Sequence, residues 1–132
     1  MSYYFSTVIK ADFDNIVDKT TALLQKEGFG VLTQIDIQQT LKKKLDVHFN
    51  RYQILGACNP HFAHKALQIE NKIGTMLPCN VIIQELDNGT IEVAAVNPIQ
   101  SMQAIKNPAL KTIANEVTDK LKNVIKNLKD EK

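Results

Sequence analysis

The chain is short of most residues that announce a function. Its 16 Lys plus Arg against 14 Asp plus Glu leave a net charge of only +2 at neutral pH. A field that weak excludes the charge-driven binding of nucleic acid or anionic membrane. Aromatic residues make up 6% of the chain, too few for a base-stacking surface. No apolar run approaches the roughly 20 residues of a membrane span. Tyr3-Tyr4-Phe5-Ser6-Thr7-Val8-Ile9 follows Met1 and Ser2 without a basic segment, a long apolar stretch or a small-residue cleavage site, so secretion is not expected. The 2 cysteines, with no secretion signal, suit a reducing, cytoplasmic compartment in which thiols stay free, bind metal or pair transiently. A Gly-rich phosphate loop, a His-Glu-x-x-His helix and a Gly-x-Ser-x-Gly elbow are all missing, which removes support for nucleotide hydrolysis and serine-type acyl transfer. Asp36, Glu70, Glu85, Asp87 and Glu92 are scattered, and their spacing defines no acid/base pair.

What remains is an ordinary globular composition, 44% hydrophobic and 23% charged over 132 residues, enough for one domain spanning 1–132 with its own core. Residues 3–10 predict a strand. Asp12 then caps a helix with Phe13, Ile16, Val17, Thr20, Leu23 and Leu24 on one face, which Gly28 stops. Val31, Thr33, Ile35 and Ile37 alternate with Leu32, Gln34 and Asp36 as a second strand, and Gln38 to Leu45 follows as a short Lys-rich helical turn. Arg51 to Ala57 predicts a third strand. A helix from Pro60 to Lys72 sets Phe62, Ala63, Ala66, Ile69 and Ile73 against His61, His64, Lys65, Gln68 and Lys72. Val81 to Leu86 and Thr90 to Val96, joined across Asn88-Gly89, predict an antiparallel hairpin. Asn107-Pro108 opens a last amphipathic helix running to Leu128. The expected class is α+β: an antiparallel or mixed sheet with helices packed on one face.

Two Cys-Asn segments, Cys58-Asn59-Pro60 and Pro78-Cys79-Asn80, carry the candidate chemistry. Cys58 precedes a helix N-terminus, where free N–H groups and the helix dipole favour a thiolate or an anion; it is the first candidate nucleophile and Cys79 the second. Equally, both fit as small packed residues. Asn59 and Asn80 could each offer an amide to an oxyanion, although Asn59 reads more simply as the side-chain cap of its helix. Cys58, His61, His64 and Cys79 are a nominal nitrogen and sulfur set for a metal. The helix pattern opposes it, because His61 and His64 sit on the polar face.

From Tyr52 to Val81, the run Tyr52-Gln53-Ile54-Leu55-Gly56-Ala57-Cys58-Asn59-Pro60, then Ala63, Ala66-Leu67, Ile73-Gly74 and Leu77-Pro78-Cys79-Asn80-Val81, resembles the bacterial and archaeal family called domain of unknown function 302. The likeness extends through the hairpin, the Asn97-Pro98 step and the final helix. One departure is Asn97, where the family pattern leads one to expect Asp. The resemblance implies a two-layer α/β fold likened to the TATA-binding protein, without DNA binding, and a homodimer. It also implies a site at Cys58, Asn59, Pro60, Pro78, Cys79 and Asn80, with Gly56 and Gly74 shaping the backbone, while leaving cofactor and activity unassigned. Three readings follow: a dimeric small-molecule or anion binding module at the two Cys-Asn turns, a thiol enzyme or redox switch using Cys58 and Cys79, and metal binding by Cys58, His61 and Cys79. A purely structural or assembly domain is the bland alternative.

Overall fold

The computed structural model describes residues 2–130. Its strands are β1 (Tyr4–Ile9), β2 (Gly30–Asp36), β3 (Tyr52–Cys58), β4 (Cys79–Glu85) and β5 (Ile91–Val96). The helices are α1 (Phe13–Lys26), α2 (Ile37–Leu45), α3 (Pro60–Ile69), α4 (Pro98–Ser101) and α5 (Ala109–Asp130), with a 3-10 helix at Asn71–Met76. The strands form one antiparallel sheet in the order β1-β5-β4-β3-β2. The expected α+β class holds, with the antiparallel alternative realised and helices packed on one side.

Alternation along each strand decides which side that is. Cys79, Val81 and Ile83 of β4 stand beside Ile91, Val93 and Ala95 of β5 and Leu55 and Ala57 of β3, all buried in one hydrophobic cluster. Helix α1 adds Phe13, Ile16, Leu23 and Leu24, and α5 adds Leu110, Ile113, Val117, Leu121, Val124, Ile125 and Leu128. Both helices place these at the three- and four-residue steps that keep side chains on one face. Truncating any one of the fully buried leucines to alanine costs about 2–5 kcal/mol.

The local signals explain the ends of the elements. Asp12 caps α1, its carboxylate accepting from the Asn15 N–H at 3.2 Å. At the other end Gly28 takes φ 89°, the Gly28 N–H reaches Gln25 O at 3.0 Å and the Phe29 N–H reaches Leu24 O at 2.9 Å. That double bond is the Schellman closure, in which a left-handed residue is required and glycine supplies it without steric cost. The β4–β5 turn likewise uses Gly89 at φ 83°, with the Thr90 N–H on Asn88 Oδ1 at 3.1 Å.

Three features of the expected elements differ from the sequence expectation. β2 ends at Asp36, whose carboxylate accepts from the Gln39 N–H at 2.9 Å, so Ile37 begins α2 and does not continue the strand. A register shift between Val31 and Thr33 interrupts the β2 alternation and leaves Leu32 exposed. The helix predicted from Pro60 to Lys72 stops at Ile69, and the chain continues as the 3-10 helix.

Candidate functional site

The first Cys-Asn segment lies at the junction of β3 and α3. Pro60 occupies the first turn of α3, but the Asn59 side chain forms no cap bond to that helix. Its Nδ2 donates instead to Glu27 O at 3.3 Å, and Asn59 is only 8% exposed. The predicted cap is therefore replaced by a tether: Asn59 ties the start of α3 to the α1–β2 turn. This close approach also explains why position 28 has no side chain, since a Cβ there would lie 3.0 Å from Asn59 Nδ2.

Cys58 is half-buried and Cys79 buried, both as free thiols. Cys79 faces Ala57, the residue before Cys58, across the β3–β4 ladder. The two cysteines border one cavity between the sheet and helices α3 and α5, whose other walls include Phe62, Leu77, Met102 and Val117. Its volume is about 30 Å³, room for a water or two and not for a metabolite. Burial first, and then the neighbouring Cys58, push the Cys79 thiol up to about 11. A thiol so placed is almost entirely protonated at neutral pH, the opposite of what an attacking or resolving cysteine needs.

The second segment divides across the sheet. Cys79 points to the helices, and Asn80, one residue on, is exposed on the opposite face. Pro78 packs near Gly56: a Cβ at Gly56 would meet Thr33 Oγ1 and would lie 2.9 Å from Pro78 Cγ. Gly56 is thus a point of close approach between β2, β3 and the residue that precedes β4. At Gly74 a Cβ would meet nothing within 4 Å, so the backbone there makes no demand for glycine. His61 and His64 are exposed, and among the described residues no group of three or more His, Cys, Asp or Glu side chains is arranged to hold a metal ion. Cys58, His61 and Cys79 therefore form no such set.

A different constellation occupies the open side of the sheet. Residues paired across β1, β5, β4 and β3 bring Tyr4 beside Val96, Glu92 beside Gln84, and Gln84 beside Tyr52. With Tyr3, Asn80, Ile82 and Ala94 they border a concavity of about 360 Å³. Gln84 Nε2 donates to Glu92 Oε1 at 2.8 Å. Burial, then the Glu92 carboxylate and Tyr3, raise the Tyr52 hydroxyl above its usual pKa, so these groups sense one another. Tyr3 and Tyr4 meet edge to face with ring centroids 4.9 Å apart. Of the residues expected from sequence, only Asn80 lies here. A larger concavity, about 640 Å³, runs along α4, the following loop and the start of α5, with Lys106 and Lys111 among its walls. Its lining comes largely from the connection between two helices, whereas the sheet concavity is held by four hydrogen-bonded strands, the better support for fixed polar groups.

Asn97 shows what stands at the departure from the family pattern. It is 1% exposed; its Oδ1 accepts from the Ile99 N–H at 3.1 Å and its Nδ2 donates to Ser2 O at 3.0 Å. It caps α4 and clamps the chain start beside β5, using a donor that an Asp carboxylate lacks.

The comparisons with known proteins agree with this architecture. A family model described as "Domain of unknown function DUF302" matches residues 5–128. The crystal structure of an uncharacterized conserved DUF302 protein from Bacillus stearothermophilus superposes with a TM-score of 0.89 at 25% identity, covering 96% of this chain and 98% of that one. No curated protein matches. Among the described residues, no helix is long and apolar enough to cross a membrane.

Proposed function

The chain belongs to the DUF302 family, a family described by no activity, and from the geometry of its sheet we propose that it is a binding module for a small molecule. The observation that carries this reading is the convergence of Asn80, Gln84, Glu92 and Tyr52 in one concavity of about 360 Å³. A few polar groups set in apolar walls, in a volume of a few hundred Å³, are what ligand sites have in common. In this reading the ligand sits on the open face of the sheet and touches Asn80 of the second Cys-Asn segment. Cys58, Asn59, Pro60, Pro78 and Cys79 hold the frame behind it: the turn into α3, the approach to Gly56 and the packing of β3 on β4. The thiol reading is weakened by Cys79, whose burial keeps it protonated.

The proposal includes the homodimer that the family likeness implies. Leu45, Val47 and Phe49, three exposed apolar side chains within five residues at the end of α2 and in the connection to β3, support a contact beside the concavity, where the Phe49 ring lies 6.2 Å from that of Tyr52. Sedimentation equilibrium tests that part separately, and a monomer throughout the micromolar range removes it. The site is tested by amide chemical-shift mapping with a fragment mixture. Shifts concentrated on β1, β3, β4 and β5 around Tyr52 and Glu92 are expected. Shifts confined to the α4–α5 concavity would move the site there and refute the present reading.

A further inference from the structure

Among the described residues, those that line the sheet concavity carry one formal charge, a negative one. Glu92 supplies a carboxylate, and none of the lining residues is Lys, Arg or His. Gln84 Nε2 bonds one carboxylate oxygen, a neutral donor that fixes its orientation and leaves its charge uncompensated. Three tyrosines, Tyr3, Tyr4 and Tyr52, share the concavity with it, and their ring faces are electron-rich.

Each ligand class meets a different fate here. An anion would face Glu92 with no counter-charge. A neutral polyol would donate hydroxyls to the carboxylate but leave its charge unbalanced. A bare metal ion seeks several oxygen or nitrogen ligands, and no group of three or more acidic, His or Cys side chains is arranged for one among the described residues. An organic ammonium ion satisfies both features: its charge pairs with the carboxylate, and its alkyl groups are attracted to aromatic rings by the cation–π effect. Resting on the proposed function above, we infer that the open face of the sheet binds a small organic ammonium ion, with Glu92 as counter-charge and Tyr52, Tyr3 and Tyr4 as its aromatic wall. The volume of about 360 Å³ fits a small amine, at the lower end of the range for ligand pockets.

The test compares choline with 3,3-dimethylbutan-1-ol, its uncharged carbon isostere, by amide-shift titration at low salt. Choline is expected to shift residues of β1, β3, β4 and β5 around the concavity, with the isostere at least tenfold weaker. Glu92→Gln should remove that preference and weaken choline at least tenfold, while Glu92→Asp, which keeps the charge, retains the preference and controls for folding. Equal affinity for the two probes, or indifference to Glu92→Gln, overturns the ammonium assignment and leaves the site standing. If neither probe shifts these amides, the ammonium assignment falls, and the fragment mixture decides the site separately. If the same amides shift with protein concentration alone, the face belongs to a second copy of the chain, which overturns the inference as well.

Discussion

Raising the pH should unlock Cys79 and, with it, part of the fold. Its folded-state pKa of about 11 stands two units above the ordinary 9.0, so at pH 7 the thiolate is about a hundredfold scarcer than in the unfolded chain, roughly one molecule in ten thousand. Alkylation proceeds through the thiolate. Native Cys79 should therefore react with iodoacetamide at least about a hundred times more slowly than the same cysteine in urea, before any steric protection is added. Peptide-resolved mass spectrometry of the reduced protein from pH 7 to 10 measures this, with half-buried Cys58 as the internal comparison. The same shift enters stability with a definite sign. A folded pKa above the unfolded value means that the folded state holds the proton more tightly, so the contribution is complete below pH 9 and is lost as pH rises to 11. Two units correspond to about 2–3 kcal/mol. Other groups also contribute to the pH dependence, so the quantity to compare is the pH slope of unfolding free energy in wild type and in Cys79→Ala, where the Cys79 part disappears. A native labelling rate within tenfold of the urea rate, or equal slopes in the two proteins, would refute the burial argument and restore Cys79 as a candidate redox partner.

Three further substitutions test the frame around the site. Gly56→Ala should lower the unfolding free energy by about 1–3 kcal/mol, since its Cβ meets Thr33 and Pro78 in a packed region with no slack; Gly74→Ala, with open space around it, should stay within about 1 kcal/mol of wild type, and urea denaturation that ranks the pair the other way refutes the packing account. Asn97→Asp removes the donor to Ser2 O and buries a carboxylate, which should cost about 2–4 kcal/mol at neutral pH; because burial raises the folded-state pKa of the new acid, the deficit should shrink as pH falls toward 4, and a deficit independent of pH would show that charge is not its cause.

Local chemistry was legible in the sequence wherever it depends on neighbours along the chain. The Asp12 cap, the Gly28 stop, the Asn88-Gly89 turn and the apolar stripe of α5 all stand as expected. The Asn97-Pro98 step opens α4 with Asn97 as a side-chain cap, the arrangement expected at Asn59, where the side chain turns to Glu27 O instead. The two steps look alike in sequence because what separates them is the partner that tertiary folding brings near. The same limit hid the sheet concavity. Gln84 and Glu92 face each other across the β4–β5 hairpin, but Tyr3 and Tyr52 are far from them along the chain, and only the pairing of β1 with β5 and of β4 with β3 brings them alongside. The alternating pattern of β4 did contain one decisive clue: adjacent residues of a strand point to opposite faces. Cys79 and Asn80 could therefore not both enter one pocket on a single side of the sheet.

The displaced register in β2 also bears on solubility. β1 and β2 each hydrogen-bond to a single neighbour, so each presents an unpaired edge that could template another chain. On β2 the irregularity between Val31 and Thr33 breaks the row of donors and acceptors and turns Leu32 outward, which blunts that edge. β1 is regular from Tyr4 to Ile9. A molecule with one competent edge can add one strand and then has nowhere to continue, so edge-to-edge association of intact chains ends at a pair and does not grow into a fibre.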